Sequence, residues 1–177
     1  MKEYPRLETD RLILKSTTEE DAHLILELLN TPKWKAFIGD RNVHTTQQAA
    51  DYIRSKMLPQ LNKLGFGNFT VIRKSDGHKM GTCGLYDREG LEGLDLGFAF
   101  LPHYEGKGYG YESAQRVLRF AFEELEVTSI QAITVKENLR SQKLLARLGM
   151  ECEGGVKLPG ENKVLLRYAI NKAVVKG

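Results

Sequence analysis

The chain is short of cysteine, of long apolar runs and of any large excess of one charge, and each shortage closes off a class of explanation. Only two cysteines, Cys83 and Cys152, occur in 177 residues. Structural metal sites usually draw on four clustered ligands and disulfide frameworks on a longer cysteine series, so neither is expected. A reducing cytoplasm fits that usage. The four histidines, His23, His44, His78 and His103, are scattered without metal or triad spacing. No apolar run approaches the ~20 residues of a membrane span. The opening MKEYPRLETDRLIL is charged throughout and lacks the apolar centre of a signal peptide. Lys and Arg number 26 against 23 Asp and Glu, an excess that suits an anionic small ligand and is too small to argue for nucleic acid. No repeat, low-complexity tract or Ser/Pro-rich linker divides the sequence, so residues 1–177 read as one domain, soluble and cytoplasmic.

What is present is an alternation of strand and helix signals. Residues 11–15 (RLILK) read as a first strand. Thr17 and Glu20 have the spacing of a capping box for a helix that buries Leu24, Ile25, Leu28 and Leu29 and ends near Asn30. Thr45 and Gln48 open a second helix through Ala49, Ile53 and Met57, which Pro59 should kink or divide. Residues 68–73 and 79–86 form a hairpin about the turn Ser75-Asp76-Gly77. Residues 93–101 (GLDLGFAFL) make another strand, in which Gly97 marks a bulge or the close approach of another backbone. Ala114, Val117, Leu118, Ala121, Phe122 and Leu125 share one face of the clearest helix. A strand over 129–135, a helix over 138–148 stopped by Gly149, and a hairpin of 156–158 with 163–170 complete the order βααβββαβαββ. The expectation is an α/β (α+β) mixed sheet of about seven strands with helices packed on it.

Between the 93–101 strand and the strong helix lies PHYEGKGYGYE, residues 102–112. Gly106, Gly108 and Gly110 alternate there, so backbone amides are little shielded and positive φ is tolerated. With the free amides of the following helix start they make an anion cradle suited to phosphate or pyrophosphate, and Lys107 adds a positive charge at its rim. A flexible loop with a helix start is the plainer alternative. The spacing is neither that of a P-loop, which needs Ser or Thr after the lysine, nor the Gly-x-Gly-x-x-Gly of a dinucleotide fold.

These residues resemble the GNAT superfamily of N-acetyltransferases, and most of all its Rim-type branch, which acetylates ribosomal proteins. The superfamily's Gln/Arg-x-x-Gly-x-Gly/Ala signature matches Glu105-Gly106-Lys107-Gly108-Tyr109-Gly110, and the branch's Tyr-x-Gly-Lys-Gly-Tyr-x-x-Glu-x-Ala matches Tyr104 to Ala114. Glu8-Thr9-Asp10-Arg11-Leu12 resembles the branch's opening, and Asn138-x-x-Ser141 with Leu148-Gly149-Met150 its Asn-x-x-Ser…Leu-Gly-Phe element. The similarity spans about residues 8–170. Glu105 departs from the pattern, and a carboxylate there should weaken anion binding unless its side chain turns away.

The resemblance implies a GNAT-type, mostly antiparallel sheet with helices on both faces. It also implies acetyl-CoA as co-substrate without a metal, and a small-molecule or peptide amine as acceptor, a protein N-terminal amine by preference. Residues 105–110 would hold the pyrophosphate, while the main chains of Phe98, Phe100 and Leu101, opened at a bulge, would pair with the pantetheine arm. Asp95 interrupts an apolar run on that strand and is the candidate base, unless it is merely solvated on the face opposite Leu94 and Leu96. Ser141 is a candidate to hydrogen-bond or protonate the departing sulfur, or is bonded to its own helix backbone. Asn138 is either a clamp on the pantetheine or a helix cap. Many superfamily members carry an acidic tyrosine seven positions after that asparagine, where this chain has Leu145. Glu112 matches a glutamate of the branch and also suits a helix start. Trp34 and Phe37, and the segment Tyr86 to Glu89, fall where an acceptor pocket or a satellite core would lie. A homodimer is the common assembly for such a protein. A coenzyme A-binding module without transferase activity is the rival reading.

Overall fold

The computed structural model describes residues 2–174. Its strands are β1 (Arg6–Glu8), β2 (Leu12–Ser16), β3 (Asn68–Arg73), β4 (Lys79–Tyr86), β5 (Asp95–Phe100), β6 (Ser129–Thr134), β7 (Glu151–Val156) and β8 (Leu165–Asn171). They form one sheet in the order β1-β2-β3-β4-β5-β6-β8-β7, antiparallel at every junction except β5–β6, which is parallel. The helices are α1 (Ala22–Leu29), α2 (Pro32–Phe37), α3 (Thr46–Lys56), α4 (Leu58–Leu64), α5 (Tyr109–Glu123) and α6 (Leu139–Arg147). Among the described residues no helix is long and apolar enough to cross a membrane.

Side-chain alternation assigns the helices to opposite faces of the sheet. Leu96, Phe98 and Phe100 of β5 belong with the cluster built on Ala114, Val117, Leu118 and Ala121 of α5. Ala99, between them, packs instead with Leu24, Ile25, Leu28 and Leu29 of α1 and Ala49 and Ile53 of α3. β4 lies near the middle and is buried along almost its whole length. Each Leu or Ile so enclosed contributes roughly 1.5–3 kcal/mol.

One helix and three boundaries differ from the sequence reading. α2 had no counterpart in it; Pro32 opens that short helix and Thr31 caps it, accepting from Trp34 N–H at 3.2 Å. Among the described residues the sheet has eight strands rather than about seven, because Arg6–Glu8 pairs with β2 through Arg6↔Lys15. That three-residue segment carries one buried side chain, Leu7, too little to register as a period. The first cap falls on Thr18, whose N–H donates to Asp21 Oδ2 at 3.0 Å, and not on Thr17, which is turned into the core. β7 occupies 151–156 instead of 156–158, and as an exposed edge strand it needs no apolar alternation. Pro59 divides two helices as expected, standing in the first turn of α4.

One polar junction fastens the start of α5 to the far side of the sheet. Glu112 Oε1 accepts hydrogen bonds from Thr9 Oγ1 at 2.6 Å and from Arg11 N at 3.1 Å. Its Oε2 accepts from Arg11 Nε at 2.7 Å and lies 2.6 Å from Arg11 Nη2. Burial acts to raise the Glu112 carboxyl, but the hydrogen bonds from Thr9 and Arg11 outweigh it and hold the group below the ordinary carboxylate range. A carboxyl so depressed stabilises the fold in full above its unfolded value and loses that contribution as pH falls through the folded one. Glu112→Gln is therefore expected to cost about 1–3 kcal/mol at neutral pH. The difference from the parent should close below about pH 4, as read by thermal melts across pH.

Candidate active site

The site begins where the sheet comes apart. β5 and β6 share one register pair, Asp95↔Gln131, with Gln131 N–H donating to the Leu94 carbonyl at 3.0 Å. Beyond it the two strands diverge. On its other edge β5 stays in register with β4 from Tyr86↔Asp95 to Gly81↔Phe100, without a shift. The Leu101 N–H continues that ladder, donating to the Met80 carbonyl at 3.0 Å. Bonded and non-bonded pairs alternate in an antiparallel ladder, so the main chains of Gly97 and Ala99 face β4 while those of Phe98 and Phe100 face the gap.

This arrangement corrects two expectations. No bulge opens β5; the departure of β6 does. Leu101 is not presented to the gap, since its N–H is committed to Met80 and its carbonyl accepts from Tyr104 N–H at 2.9 Å. Gly97 is explained by a close approach, but of a side chain: a Cβ there would lie 2.6 Å from the Tyr86 ring.

The three glycines after β5 have two different reasons. Gly106 and Gly108 adopt φ of +75° and +84°, the left-handed region that other residues resist, and Gly108 is the N-cap of α5. Gly110 is helical, and a Cβ there would meet Leu144 Cδ1 at 2.9 Å, so its job is to let α5 and α6 approach. Glu112 N–H is bonded to the Gly108 carbonyl at 3.0 Å. The amides of Tyr109, Gly110 and Tyr111 before it therefore have no intrahelical acceptor and sit at the positive end of the helix dipole. Gly106, Gly108, Tyr109, Gly110 and Tyr111 all line a cavity of ≈ 400 Å³, whose opposite wall includes Phe98 and Phe100. The Tyr109 ring turns inward, with the Arg11 guanidinium stacked 4.5 Å from its centroid. Lys107 does not line the cavity; its carbonyl accepts from Arg11 Nη1 at 3.1 Å.

Glu105 lines the cavity and does not turn away from it. Its carboxylate is gripped by Lys33 of α2 and by Arg140 of α6. Both cations were missed in the sequence, where they stand 72 and 35 residues from Glu105. Arg140 left one signal: a cation in the first turn of a helix opposes the macrodipole and calls for an anion nearby.

A second cavity, of ≈ 530 Å³, adjoins the first, and Phe98, Ala99, Asn138 and Ser141 line both. Asp95 lies in its wall at 1% exposure, so it is not a solvated surface group. Arg88 Nε and Nη2 stand 3.3 and 3.4 Å from its oxygens. Burial pushes the Asp95 carboxyl up, and Arg88 offsets only part of that. Asn138 caps α6, its Oδ1 accepting from Ser141 N–H at 3.1 Å. The Ser141 hydroxyl has no hydrogen-bond partner among the described residues, its own helix backbone included. Tyr86 donates to Asn68 Oδ1, and Asn68 Nδ2 passes the chain to Thr17 Oγ1 at 2.8 Å. Burial raises the Tyr86 phenol far above its ordinary value, so it stays neutral. Trp34 and Phe37 line both cavities while also packing against satellite clusters, so the two readings of them hold together. Cys83 is enclosed, and burial pushes its thiol up to about 12, which leaves it unreactive. Among the described residues no group of three or more His, Cys, Asp or Glu is placed to hold a metal ion.

Replacing Glu105 by Gln frees Lys33 and Arg140 and removes a negative charge from the cradle. Inorganic pyrophosphate is expected to bind this variant several-fold more tightly, by about 1 kcal/mol, in calorimetry at low salt. Weaker binding by the folded variant would mean that Glu105 serves to position Arg140.

Comparison with known proteins agrees with this geometry. The acetyltransferase (GNAT) domain family matches residues 11–151. An N-acetyltransferase named p20 from Bacillus licheniformis is 30% identical over 151 residues, 84% of this chain and 83% of that one. The ribosomal protein uS5 alanine N-acetyltransferase of Escherichia coli (strain K12) is 25% identical over 171 residues, 86% of this chain and 81% of that one. Among solved structures, RimL, a ribosomal L7/L12 α-N-protein acetyltransferase in complex with coenzyme A, superposes with a TM-score of 0.76 at 15% identity, covering 94% of this chain and 98% of that one. A sheet parted at β5–β6, a glycine cradle ahead of α5 and a family match across most of its length place the chain among the acyltransferases: it belongs to the GNAT family of N-acetyltransferases.

Proposed function

We propose that the chain works as one N-acetyltransferase domain that takes the acetyl group of acetyl-CoA to a primary amine, a protein N-terminal amine by its likeness to the Rim-type branch. The observation that carries the reading is the meeting of two cavities at the parted strands, one edged by free amides and the other by a buried carboxylate. The fit to coenzyme A rests on two features. Gly106 and Gly108 hold a backbone shape that leaves amides bare for a diphosphate, and the Phe98 and Phe100 main chains offer an unfilled strand edge to an amide-bearing arm.

Bound there, acetyl-CoA would supply a thioester carbonyl activated toward amines. The amide edge of β5 orients that group and places an N–H against the negative charge developing on its oxygen. Asp95 takes a proton from the acceptor ammonium, directly or through water, and its raised proton affinity suits that work. Arg88 orients the Asp95 carboxylate. Leu145, apolar and 1% exposed, offers no acid where many relatives carry tyrosine. The Ser141 hydroxyl or a water held by it and Asn138 then serves the sulfur.

Thiol release from acetyl-CoA, measured over a panel of amines and peptides, tests the whole reading; coenzyme A binding without release from any member would leave the binding module instead. Gly108→Asp adds a Cβ at a positive φ, 3.2 Å from Arg11 Nη2, and a negative charge beside the cradle. It is expected to abolish coenzyme A binding in calorimetry, and unchanged affinity in a folded variant would move the cradle elsewhere. Asp95→Asn is expected to lower kcat about a hundredfold with unchanged coenzyme A affinity. A carboxyl raised on folding stabilises below its unfolded value, and that contribution is lost as pH rises through the folded one. The melting temperature of the variant relative to the parent should therefore rise between pH 4 and pH 7. An unaltered pH–rate profile would remove Asp95 from the mechanism.

A further inference from the structure

Within this acetyl-transfer reading, we infer that the acceptor carries a negatively charged group on the same molecule as its amine. The ≈ 530 Å³ cavity is lined by Arg41, from the loop between α2 and α3, by Lys56 at the end of α3, and by Lys163 from the β7–β8 loop. All three are exposed, and none has an ion-pair or hydrogen-bond partner among the described residues. One unpaired acid, Glu161, accompanies them. A fourth cation of the lining, Arg88, is paired with the buried Asp95.

Elsewhere the cations are divided: Arg54 pairs with Glu19 and Asp51, Arg73 with Asp76, Lys79 with Asp21 and Arg167 with Glu153, while Lys15, Lys35, Lys63 and Lys136 have no ion pair among the described residues. What sets this cavity apart is the balance of its lining, three exposed cations from three separate segments against the single unpaired acid Glu161, in a chain with only a slight cationic excess, 26 to 23. The same cavity is lined by the apolar side chains of Leu28, Leu29, Phe37 and Ile38. Apolar walls of low dielectric focus a field instead of screening it. An acceptor whose amine reaches the Asp95 carboxylate would leave its remaining groups among Arg41, Lys56 and Lys163. A carboxylate or phosphate gains there, and a second ammonium is repelled. The class fitted is a free amino acid-like amine with an apolar body, or a peptide whose N-terminal residue is followed by acidic side chains.

The test is thiol release with acetyl-CoA across charge-matched acceptors. Three peptides share a first residue and continue with acidic, neutral or basic side chains. Phenylalanine is set against 2-phenylethylamine, and spermidine supplies a polycation. The acidic member of each set is expected to show a kcat/KM about tenfold or more above its neutral partner. The gain should lie in KM and shrink as salt is raised, with the basic peptide and spermidine poorest. In the double variant Arg41→Gln, Lys163→Gln the preference should collapse while the melting temperature holds. A higher value for the amino acid or for the acidic peptide identifies which source the site takes. Equal kcat/KM across the charge series, or a preference for the basic members, would overturn the inference and leave acetyl transfer standing. No release from any acceptor would overturn both.

Discussion

The backbone of β5 has hydrogen-bonding groups on two edges and a continuous partner on only one. β4 supplies the first edge over the full strand, while β6 touches the second at Asp95↔Gln131 and then leaves. Backbone donors and acceptors away from water need partners, and beside Phe98 and Phe100 the second edge of β5 has no strand to supply them. The two halves of the sheet do not fall apart at this weak junction because the core bridges it. Phe69, Val71 and Met80 on one side and Ile130, Ala132, Tyr168 and Ile170 on the other belong to one cluster, with α5 between them. The gap is thus held open by packing.

Charge is distributed around the gap by the same economy. Glu112 and Asp95 are both carboxylates beside an arginine, yet one is depressed and the other raised. The difference lies in their hydrogen bonds. Glu112 collects close donors from Thr9 and Arg11 that overcome its burial, whereas Asp95 has only the long contacts of Arg88 against nearly complete enclosure. The first serves as a fastening for α5 and the second retains a proton affinity that chemistry can use. Glu105, between Lys33 and Arg140, is a third case, in which a carboxylate keeps two cations at the cradle's edge.

Much of the site was legible because it is local. Gly106 and Gly108 announce positive φ and bare amides in any context, Asn138 three residues before Ser141 announces a cap, and the α5 face follows a 3.6-residue period. The strand over 11–15 could be read from its own residues, whereas the link from Arg11 to Glu112 joins residues about a hundred apart and left no local signal. Short or exposed elements such as β1 and β7 left no apolar period to find. Arg140 was discoverable from its unfavourable place in a helix start, while Lys33 carried no comparable signal.

By itself, the sequence determined what neighbouring residues decide among themselves: the course and buried faces of the longer helices α1, α3, α5 and α6, and that amides lie open after β5. Tertiary structure alone decided that β6 should leave β5 after one pair, that the main chain of Leu101 should face β4 and that of Phe98 the gap, and that Asp95 should be enclosed against Arg88. Those outcomes depend on how strands align and which charges meet through space. Such long-range pairings are chosen by the packing of the whole core, and no short stretch of chain carries them.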